Sequence, residues 1–567
     1  MNRAAKKPCV PNRTIRLLVV ALIASMPCSS FGNEKTADVC VYGGSASGMM
    51  AAMAAAQRGK SVVVVEPSRW LGGFIGGGSR ILRDCVYADD IGGLTRMMMG
   101  KDIEMNGGPP LADYAKIRGV NMGFGPHDKQ PEFRKLFADL AKEHGIEVVY
   151  EYRLGTVKLE GKHIQAIALD YAPPQQDGCP TPLATTKNAL TISARVFVDA
   201  SYEGDLMAEA GVSYTVGRES RDHYGESLAG QRHLIPFDIS PFLKEGEPTS
   251  GLLPMIDPEP YVEGAASRHI LAYNFRLFWQ DEGVLPGQPS HDSPEQYALV
   301  HRALEKKRGL IAWPENNYGR THMISTGIPG RQSDYPDAGW PERAKIWREW
   351  IDHVRIMHMI TGSTKRLPSG WYPDTGDLPH YLYTRLARRM VGEYVMTQHD
   401  LMLQTDIEHP ICLGYYMVDI YPCRLIATAD GKVASEGETS ILVSPGPYQI
   451  PHESIVPKRE ECDNLLVPVC MSASHTALAS IRMEPTYMLM GEAAGIAAVR
   501  SLDENVAVQS IDQQAYRKEL LKAGMILEWN GTGYETNEVY GKPPYWVTNP
   551  QEYSKKPYAS LYKGRRE

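Results

Sequence analysis

Apolar residues cluster most densely between positions 38 and 66, and they do so with two rhythms. Val39-Cys40-Val41 and Val62-Val63-Val64-Val65 are unbroken apolar runs without polar alternation, the pattern of strands covered on both faces of a parallel sheet. Between them, Met49 to Gln57 is rich in Ala and Met, which favour helix, and Gly59 stands where a C-terminal cap belongs. The turn into this helix is Gly43-Gly44-Ser45-Ala46-Ser47-Gly48, and the second run ends on Glu66. The pattern predicts strand, glycine turn, helix, strand and terminal acid within 29 residues. Further along it predicts a strand pair over Val148–Leu159 and a strand at Val196-Phe197-Val198-Asp199-Ala200-Ser201. Helical spacing recurs over Glu342–Ile360 and Tyr381–Met396. A last helix covers Thr486–Arg500, entered through Ile481-Arg482-Met483-Glu484-Pro485, with Pro485 suited to a first turn.

The first unit has the chemistry of a dinucleotide site. Gly43 allows the tight turn out of the strand, and Gly48 lets the helix approach the sheet. Gly44, Ala46 and Ser47 complete the turn, whose helix N-terminus offers free N–H groups and a positive dipole to a pyrophosphate. Glu66, 18 residues after Gly48, is placed to accept from a ribose. Ser45 occupies the usual second glycine position, where its hydroxyl is expected to donate to a phosphate oxygen. Three further segments favour FAD over NAD. The glycine loop Leu71-Gly72-Gly73-Phe74-Ile75-Gly76-Gly77-Gly78 lets backbone approach a large flat cofactor. Ala200 and Ser201 are small residues at a strand end. Glu484 and Pro485 open a helix whose N-terminus suits the flavin edge where reduction leaves negative charge. The competing reading of that helix is plain packing through Gly491, Ala494, Gly495 and Ala498. Leu154 is a candidate contact at the adenine end. A second fingerprint is missing, since Gly531-Thr532-Gly533 lacks a strand and helix around it.

Length and composition narrow the partners. A chain of 567 residues exceeds one ordinary core. A net charge of −7 with no basic run argues against nucleic acid. Residues 1–32 have the features of a Sec-type signal: Arg3, Lys6, Lys7, Arg13 and Arg16, then Leu17–Ile23, then Ser30 and Gly32 before a cut at Asn33. This predicts a periplasmic or secreted protein with no integral membrane segment in the mature chain. It also means that FAD is acquired outside the cytoplasm. Among 9 Cys no C-x-x-C occurs, so neither a zinc ribbon nor an iron–sulfur cluster has support, and no metal is expected. In an oxidising compartment Cys412 with Cys423, or Cys462 with Cys470, are candidate disulfides, while Cys40 reads as a core thiol.

Several longer strings carry a family resemblance. They are Val41-Tyr42-Gly43-Gly44-Ser45, Trp70-Leu71-Gly72-Gly73, Asp199-Ala200-Ser201-Tyr202-Glu203-Gly204-Asp205-Leu206 and Tyr273-Asn274-Phe275-Arg276. Ala387–Tyr394, Ser454–Lys458, Val467–Cys470, Ser472–His475 and Ser480–Pro485 complete the set. Together they resemble the bacterial FAD-dependent oxidoreductases over roughly residues 38–527. Exported members of that family are loosely labelled xanthan lyase-like, and it is related to the flavin subunit of heterodisulfide reductases. The resemblance implies an α/β fold with an FAD-binding Rossmann-like domain of the two-dinucleotide-binding (glutathione-reductase) type and an inserted substrate or cap region. The expected organisation is a signal at 1–32, FAD-binding parts at 33–230 and 400–527, a cap at 231–399 and a tail at 528–567. Where the family commonly carries Asp-x-His, this chain has Asp419-Ile420-Tyr421, so a role for that histidine does not carry over unchanged.

The expected activity is oxidation of a small organic substrate, of carbohydrate type, by hydride transfer to flavin, with an unidentified electron acceptor. The sugar assignment rests on export, on 30 Tyr against 10 Phe, and on the resemblance. Candidate catalytic residues are His475 as base, Arg482 as a stabiliser of negative charge, and Tyr421 with Asp419 as substrate contacts. The competing readings are a backbone-bonded His475 and an Arg482–Glu484 ion pair. Arg385, Arg388 and Arg389 offer an anion site or, more plainly, an Arg389–Glu393 helix pair. His380 and His399-Asp400 are minor polar candidates. Two other functions remain open: an electron-transfer flavoprotein, and a lyase or sugar-binding protein with a vestigial nucleotide site. No G-x-S-x-G or H-E-x-x-H motif supports the lyase.

Overall fold

The computed structural model describes residues 33–77, 91–105, 130–290, 294–306, 308–313, 322–441, 443–444 and 446–529. The expected signal, Gly78 of the glycine loop, Cys9, Cys28, Cys85, the Gly531–Gly533 stretch and the tail beyond 529 lie outside the described residues.

The strand–helix–strand unit forms as β1 (Asn33–Tyr42), α1 (Ala46–Ala56) and β2 (Val62–Glu66). β1 is longer than its apolar run because its polar first half pairs with a neighbouring strand, Asn33 to Ala37 against Leu190 to Ala194. A helical turn, α2 (Gly73–Gly76), follows β2. Then come β3 (Glu147–Tyr150), β4 (Tyr152–Glu160), β5 (His163–Tyr171) and β6 (Thr186–Asp199). The main sheet has the order β3-β2-β1-β6-β5-β4. β3, β2, β1 and β6 are mutually parallel, whereas β4 and β5 form an antiparallel excursion returning into β6. The expected pairing within Val148–Leu159 does not form. Glu151, at φ 67°, breaks the segment, so β3 joins β2 while β4 joins β5.

A second sheet has four strands. Its strands are β7 (Leu234–Phe237), β8 (Ile256–Asp257), β9 (Arg424–Ala427) and β10 (Val433–Glu436), in the order β7-β10-β9-β8. The division expected at residue 400 is therefore crossed: residues 424–436 complete a sheet begun by residues 234–257. The long helix expected in the cap is α3 (Trp340–Ile360), which buries Trp347 and Trp350. The helix expected at Tyr381–Met396 is instead extended, with a two-residue strand, Arg389–Met390, against Tyr214–Thr215. Its charges explain the difference. Arg389 pairs with Glu219, Arg388 with Asp205 and Asp337, and Glu393 accepts from the Arg459 amide. Partners in several directions suit an extended chain, and no Arg389–Glu393 pair forms.

The chain returns to the main sheet through β11 (Leu465–Leu466), parallel to β6, then α4 (His475–Ile481) and α5 (Glu484–Glu504). α5 packs along α1 at unusually close range. A Cβ on Gly491 would lie 2.1 Å from the Ser47 carbonyl oxygen, and one on Gly495 2.3 Å from that of Ala51. The packing reading of those glycines is correct, and it coexists with a buried helix start at Glu484 and Pro485. The candidate disulfides do not form: Cys412, Cys423, Cys462 and Cys470 are buried free thiols, as is Cys40. Cys423 Sγ is directed at the Tyr421 carbonyl (3.5 Å) and Cys470 Sγ at that of Tyr202 (3.3 Å), so neither faces its expected partner.

Candidate active site

The nucleotide end is built where β1 stops. Gly43 has φ 95°, and a Cβ there would meet the Ser201 amide nitrogen at 2.5 Å and the Ala200 carbonyl carbon at 2.7 Å. The ends of β1 and β6 thus approach as only glycine permits. Ser45 caps α1 by accepting from the Gly48 amide (3.1 Å), and its hydroxyl donates to the Ala200 carbonyl (2.7 Å). This corrects the expectation for Ser45: its hydroxyl proton is committed to backbone, not to phosphate. Ala46 and Ser47 hold the first two helical positions, whose amides have no partner within a helix. Glu66 accepts from the Gly44 amide and the Ser68 amide, each at 2.8 Å. Burial raises its pKa, and those hydrogen bonds oppose the rise. Tyr42, Gly43, Ser45, Glu66 and Ser201 line one groove. Leu154 is not among its walls; its amide already donates to Tyr42 Oη (3.1 Å), and the adjacent Arg153 lines the groove instead. Consecutive strand residues face opposite ways, so Leu154 packs on the core behind Arg153.

This groove suits the adenosine and pyrophosphate of FAD. The cradle at Gly43 is one a side chain would fill, and Ser45 and the Glu66 carboxylate share the wall of the same groove. His380, also in its wall, stacks on Trp70 with ring centroids 4.0 Å apart. Burial, and after it Arg134, hold His380 well below the usual histidine range, so it presents a neutral ring.

The glycine loop meets α5 at a second centre. Gly72 (φ 86°) donates to the Gly44 carbonyl, which fastens the loop to the turn before α1. Gly73 leaves 2.7 Å between a notional Cβ and Tyr202 Oη. That hydroxyl accepts from the Phe74 amide (3.1 Å) and donates to Glu484 Oε1 (2.6 Å). Glu484 is 1 % exposed, and its Oε2 has no hydrogen-bond partner among the described residues. Burial pushes its carboxyl up to about 8. The expected Arg482–Glu484 pair is thus replaced: Glu484 turns to Tyr202. Arg482 donates to Tyr383 Oη (2.8 Å) and to Asp419 through its carbonyl (2.9 Å) and Oδ2 (3.3 Å). Tyr383 in turn stacks on Phe74 at 3.7 Å. Tyr421 lies beneath the Arg385 guanidinium at 4.2 Å. The structure therefore brings Arg482, Asp419, Tyr421 and Glu484 into one neighbourhood and adds Tyr202, Tyr383 and Phe74.

His475 stands apart in character. It opens α4 behind a Ser474 cap, and its amide donates to Glu219 Oε2 (3.0 Å). Burial first, then Arg389, Arg218, Arg232 and Arg482, hold its ring well below the usual range. A ring that resists protonation so strongly is a poor proton acceptor. His399 and Asp400 serve structure: Asp400 completes a capping box with Thr397, and His399 lies against the Tyr224 carbonyl. Asp257, Glu259 and His269 gather their ligand atoms within 4.8 Å. Arg424 already reaches Asp257 (3.2 Å) and Arg268 reaches Glu259 (3.0 Å), so this cluster is an ion-pair network.

Sequence reasoning missed Tyr202 and Tyr383 as partners of the site. Tyr202 lies within the quoted Asp199–Leu206 string, so its signal was present but unassigned to a role. Tyr383 has no such signal, because its place depends on the extended path of residues 381–397.

Among solved structures, AlpK is similar at 16% identity over 36% of this chain and 40% of that one, with TM-score 0.22. The myxobacterial chondrochloren halogenase CndH is similar at 17% identity over 32% and 41%, with TM-score 0.21. THI4 of Thermovibrio ammonificans is similar at 20% identity over 32% and 64%, with TM-score 0.21. Each likeness spans less than two thirds of the solved chain. No curated protein matches the chain. The family model "FAD dependent oxidoreductase" matches residues 38–520, from the strand before Gly43 to the helix after α5. The chain belongs to the FAD dependent oxidoreductase family, whose cofactor is FAD.

Proposed function

We propose that this oxidoreductase is exported and oxidises a hydroxyl-bearing small molecule of carbohydrate type. The observation that carries the reading is the Tyr202–Glu484 pair, a buried proton-holding acid at the start of α5, fastened to the glycine loop through the Phe74 amide. Oxidising an alcohol turns C–O into C=O, with a hydride leaving carbon and a proton leaving oxygen. Bound FAD supplies the two-electron, hydride-accepting chemistry. The chain supplies the proton traffic and the orientation. A carboxyl titrating at about 8 exchanges protons near neutral pH, which suits general acid–base work better than the cation-hemmed His475. Tyr202 donates its hydroxyl proton to Glu484 Oε1 and fixes the rotamer of the carboxyl. Arg482, held by Asp419 and Tyr383, offers positive charge to a developing anion. The basic and apolar features of residues 1–32 support export, and among the described residues no helix is long and apolar enough to cross a membrane.

The test is anaerobic mixing of the FAD-loaded chain with a panel of sugars, sugar alcohols and sugar acids while the oxidised-flavin band is followed. At least one compound is expected to bleach it, and Glu484→Gln to slow the bleaching by about 100-fold. No bleaching by any member overturns the reading. Fractionation of producing cells tests export, with a mature N-terminus at Asn33 as the expected result and cytoplasmic retention as the refuting one.

A further inference from the structure

Arg153, near the start of β4, carries a buried charge with no carboxylate partner among the described residues. It is 5 % exposed. Its guanidinium donates to two carbonyls, Thr181 through Nη1 (2.6 Å) and Pro182 through Nη2 (3.4 Å), and its Nε is buried with no hydrogen-bond partner. Asp170, opposite it in the β4–β5 ladder, accepts instead from the Asn188 amide (2.8 Å). Arg218, Arg343 and Arg389 are buried likewise, but each touches a carboxylate. Burial pulls the Arg153 pKa below the ordinary arginine value, and Asp170 and Tyr42 oppose that fall. Trp340, the first residue of α3, covers one face of the guanidinium, its ring centroid 4.8 Å away.

The place of this charge gives it a use. Arg153 lines the groove of Gly43, Ser45 and Glu66, and among the described residues of that wall it is the one lysine or arginine. The acids of the same wall are engaged elsewhere. Asp205 pairs with Arg343 and Arg388, Glu66 accepts from the Gly44 and Ser68 amides, and Glu203 accepts from Tyr335 Oη (3.2 Å).

We propose that Arg153 holds a phosphate oxygen of FAD, with Trp340 as the positioning residue that fixes the guanidinium plane. A guanidinium taken out of water is costly unless an anion meets it. A phosphate supplies both the charge and an acceptor for the idle N–H, in the geometry the guanidinium fork favours. Through the Arg153–Trp340 contact the phosphates of the cofactor also tie β4 to the start of α3. This assignment concerns the cofactor alone and stands apart from the substrate proposed above.

The test uses the full chain freed of FAD and reloaded. FAD is titrated through the quenching of flavin fluorescence, and ADP and adenosine compete with it. The wild type is expected to bind ADP about 10-fold or more tightly than adenosine. Arg153→Met should weaken FAD and ADP by about 10-fold or more and leave adenosine within about twofold, with the circular dichroism of the wild type. Arg153→Lys, which keeps the charge but loses the fork, should fall between, and it serves where Arg153→Met fails to fold. Trp340→Leu should weaken FAD and ADP by a smaller factor and again spare adenosine. The assignment is overturned if Arg153→Met, or Arg153→Lys in its place, binds FAD like the wild type. ADP and adenosine binding the wild type alike would overturn it too. So would equal losses of ADP and adenosine in the variant, which mark a stack on adenine in place of a phosphate contact.

Discussion

Replacing Glu484 with glutamine asks whether the carboxyl at the start of α5 is held in its protonated form. Gln keeps an acceptor for the Tyr202 hydroxyl and mimics a protonated Glu at every pH. The native carboxyl is 1 % exposed and titrates at about 8, against an ordinary glutamate value of 4.5. Above 4.5 the unfolded chain has released this proton while the folded chain keeps it until about 8. The folded state then binds more protons than the unfolded one, so stability falls as pH rises through that window and levels off above it. A shift of about 3.5 units corresponds to about 5 kcal/mol at 1.36 kcal/mol per unit. For roughly 500 folded residues the unfolding entropy is about 1 kcal/mol per degree, so the effect is about 5 °C in melting temperature. Melting curves of wild type and Glu484→Gln, taken every half unit from pH 5 to 9, should nearly coincide at pH 5. They should then diverge in favour of the variant and run parallel above about pH 8. Curves separated by a constant amount across the range would refute the argument, because a carboxyl ionised at ordinary pH gives no such divergence.

Other substitutions probe other parts of the site. Arg218 donates to both oxygens of Glu436 (2.9 and 2.6 Å) with both side chains at most 1 % exposed. Arg218→Met, which strips the buried Glu436 of its bidentate partner and leaves it only the Arg232 amide (2.9 Å) and Arg424 (3.5 Å), should lower the stability by about 3 kcal/mol in denaturant melts, and an effect under about 1 kcal/mol would contradict that accounting. His475 stays neutral in the fold, while the unfolded chain takes up a proton below its ordinary 6.5. Stability should thus decline as pH falls below about 6.5, and His475→Gln should soften that decline while leaving the pH profile of turnover between 6 and 8 unchanged; a lost acidic limb would restore His475 as the base. The thiols of Cys40, Cys179, Cys412, Cys423, Cys462 and Cys470 are all free and buried. Peptide mapping after denaturing alkylation should label all six whether or not reductant is added, and a site labelled only after reduction would show a disulfide.

The first strand–turn–helix–strand was legible because its signals are local. Four valines buried on both faces leave no other reading for β2, and Gly48 is set within the same turn, where a Cβ would lie 2.1 Å from the Gly43 carbonyl oxygen. The start of α5 was equally plain, from Pro485 in its first turn. The charge partners were not legible. Tyr202 and Glu484 are 282 positions apart, and Arg482 finds Asp419 63 positions away, so nearer neighbours such as Glu484 looked like better partners. The stretch from Tyr381 to Met396 shows the same failure at the level of secondary structure. Its arginine and glutamate spacing fits a helix surface, but no helix face could deliver Arg388 to Asp205 and Arg389 to Glu219 together. The polar half of β1 escaped notice because edge exposure erases the apolar signal that marks the buried half.

The packing of α5 on α1 also places the helix start that carries Glu484. Gly491 and Gly495 let α5 lie against α1 with backbone nearly touching backbone. Ser47, in the first turn of α1, then reaches across to donate to the Tyr487 carbonyl at 2.6 Å, in the first turn of α5. The start of α1 and the start of α5, which carries Glu484, are therefore fixed to each other by a backbone contact and a hydrogen bond. The glycine loop adds a second tie, from Gly72 to Gly44 on one side and from Phe74 through Tyr202 to Glu484 on the other. The distance between those two helix starts is thereby held. Larger residues at 491 or 495 would pry the helices apart and release that distance, which is why small residues recur along α5 at the turns that touch α1.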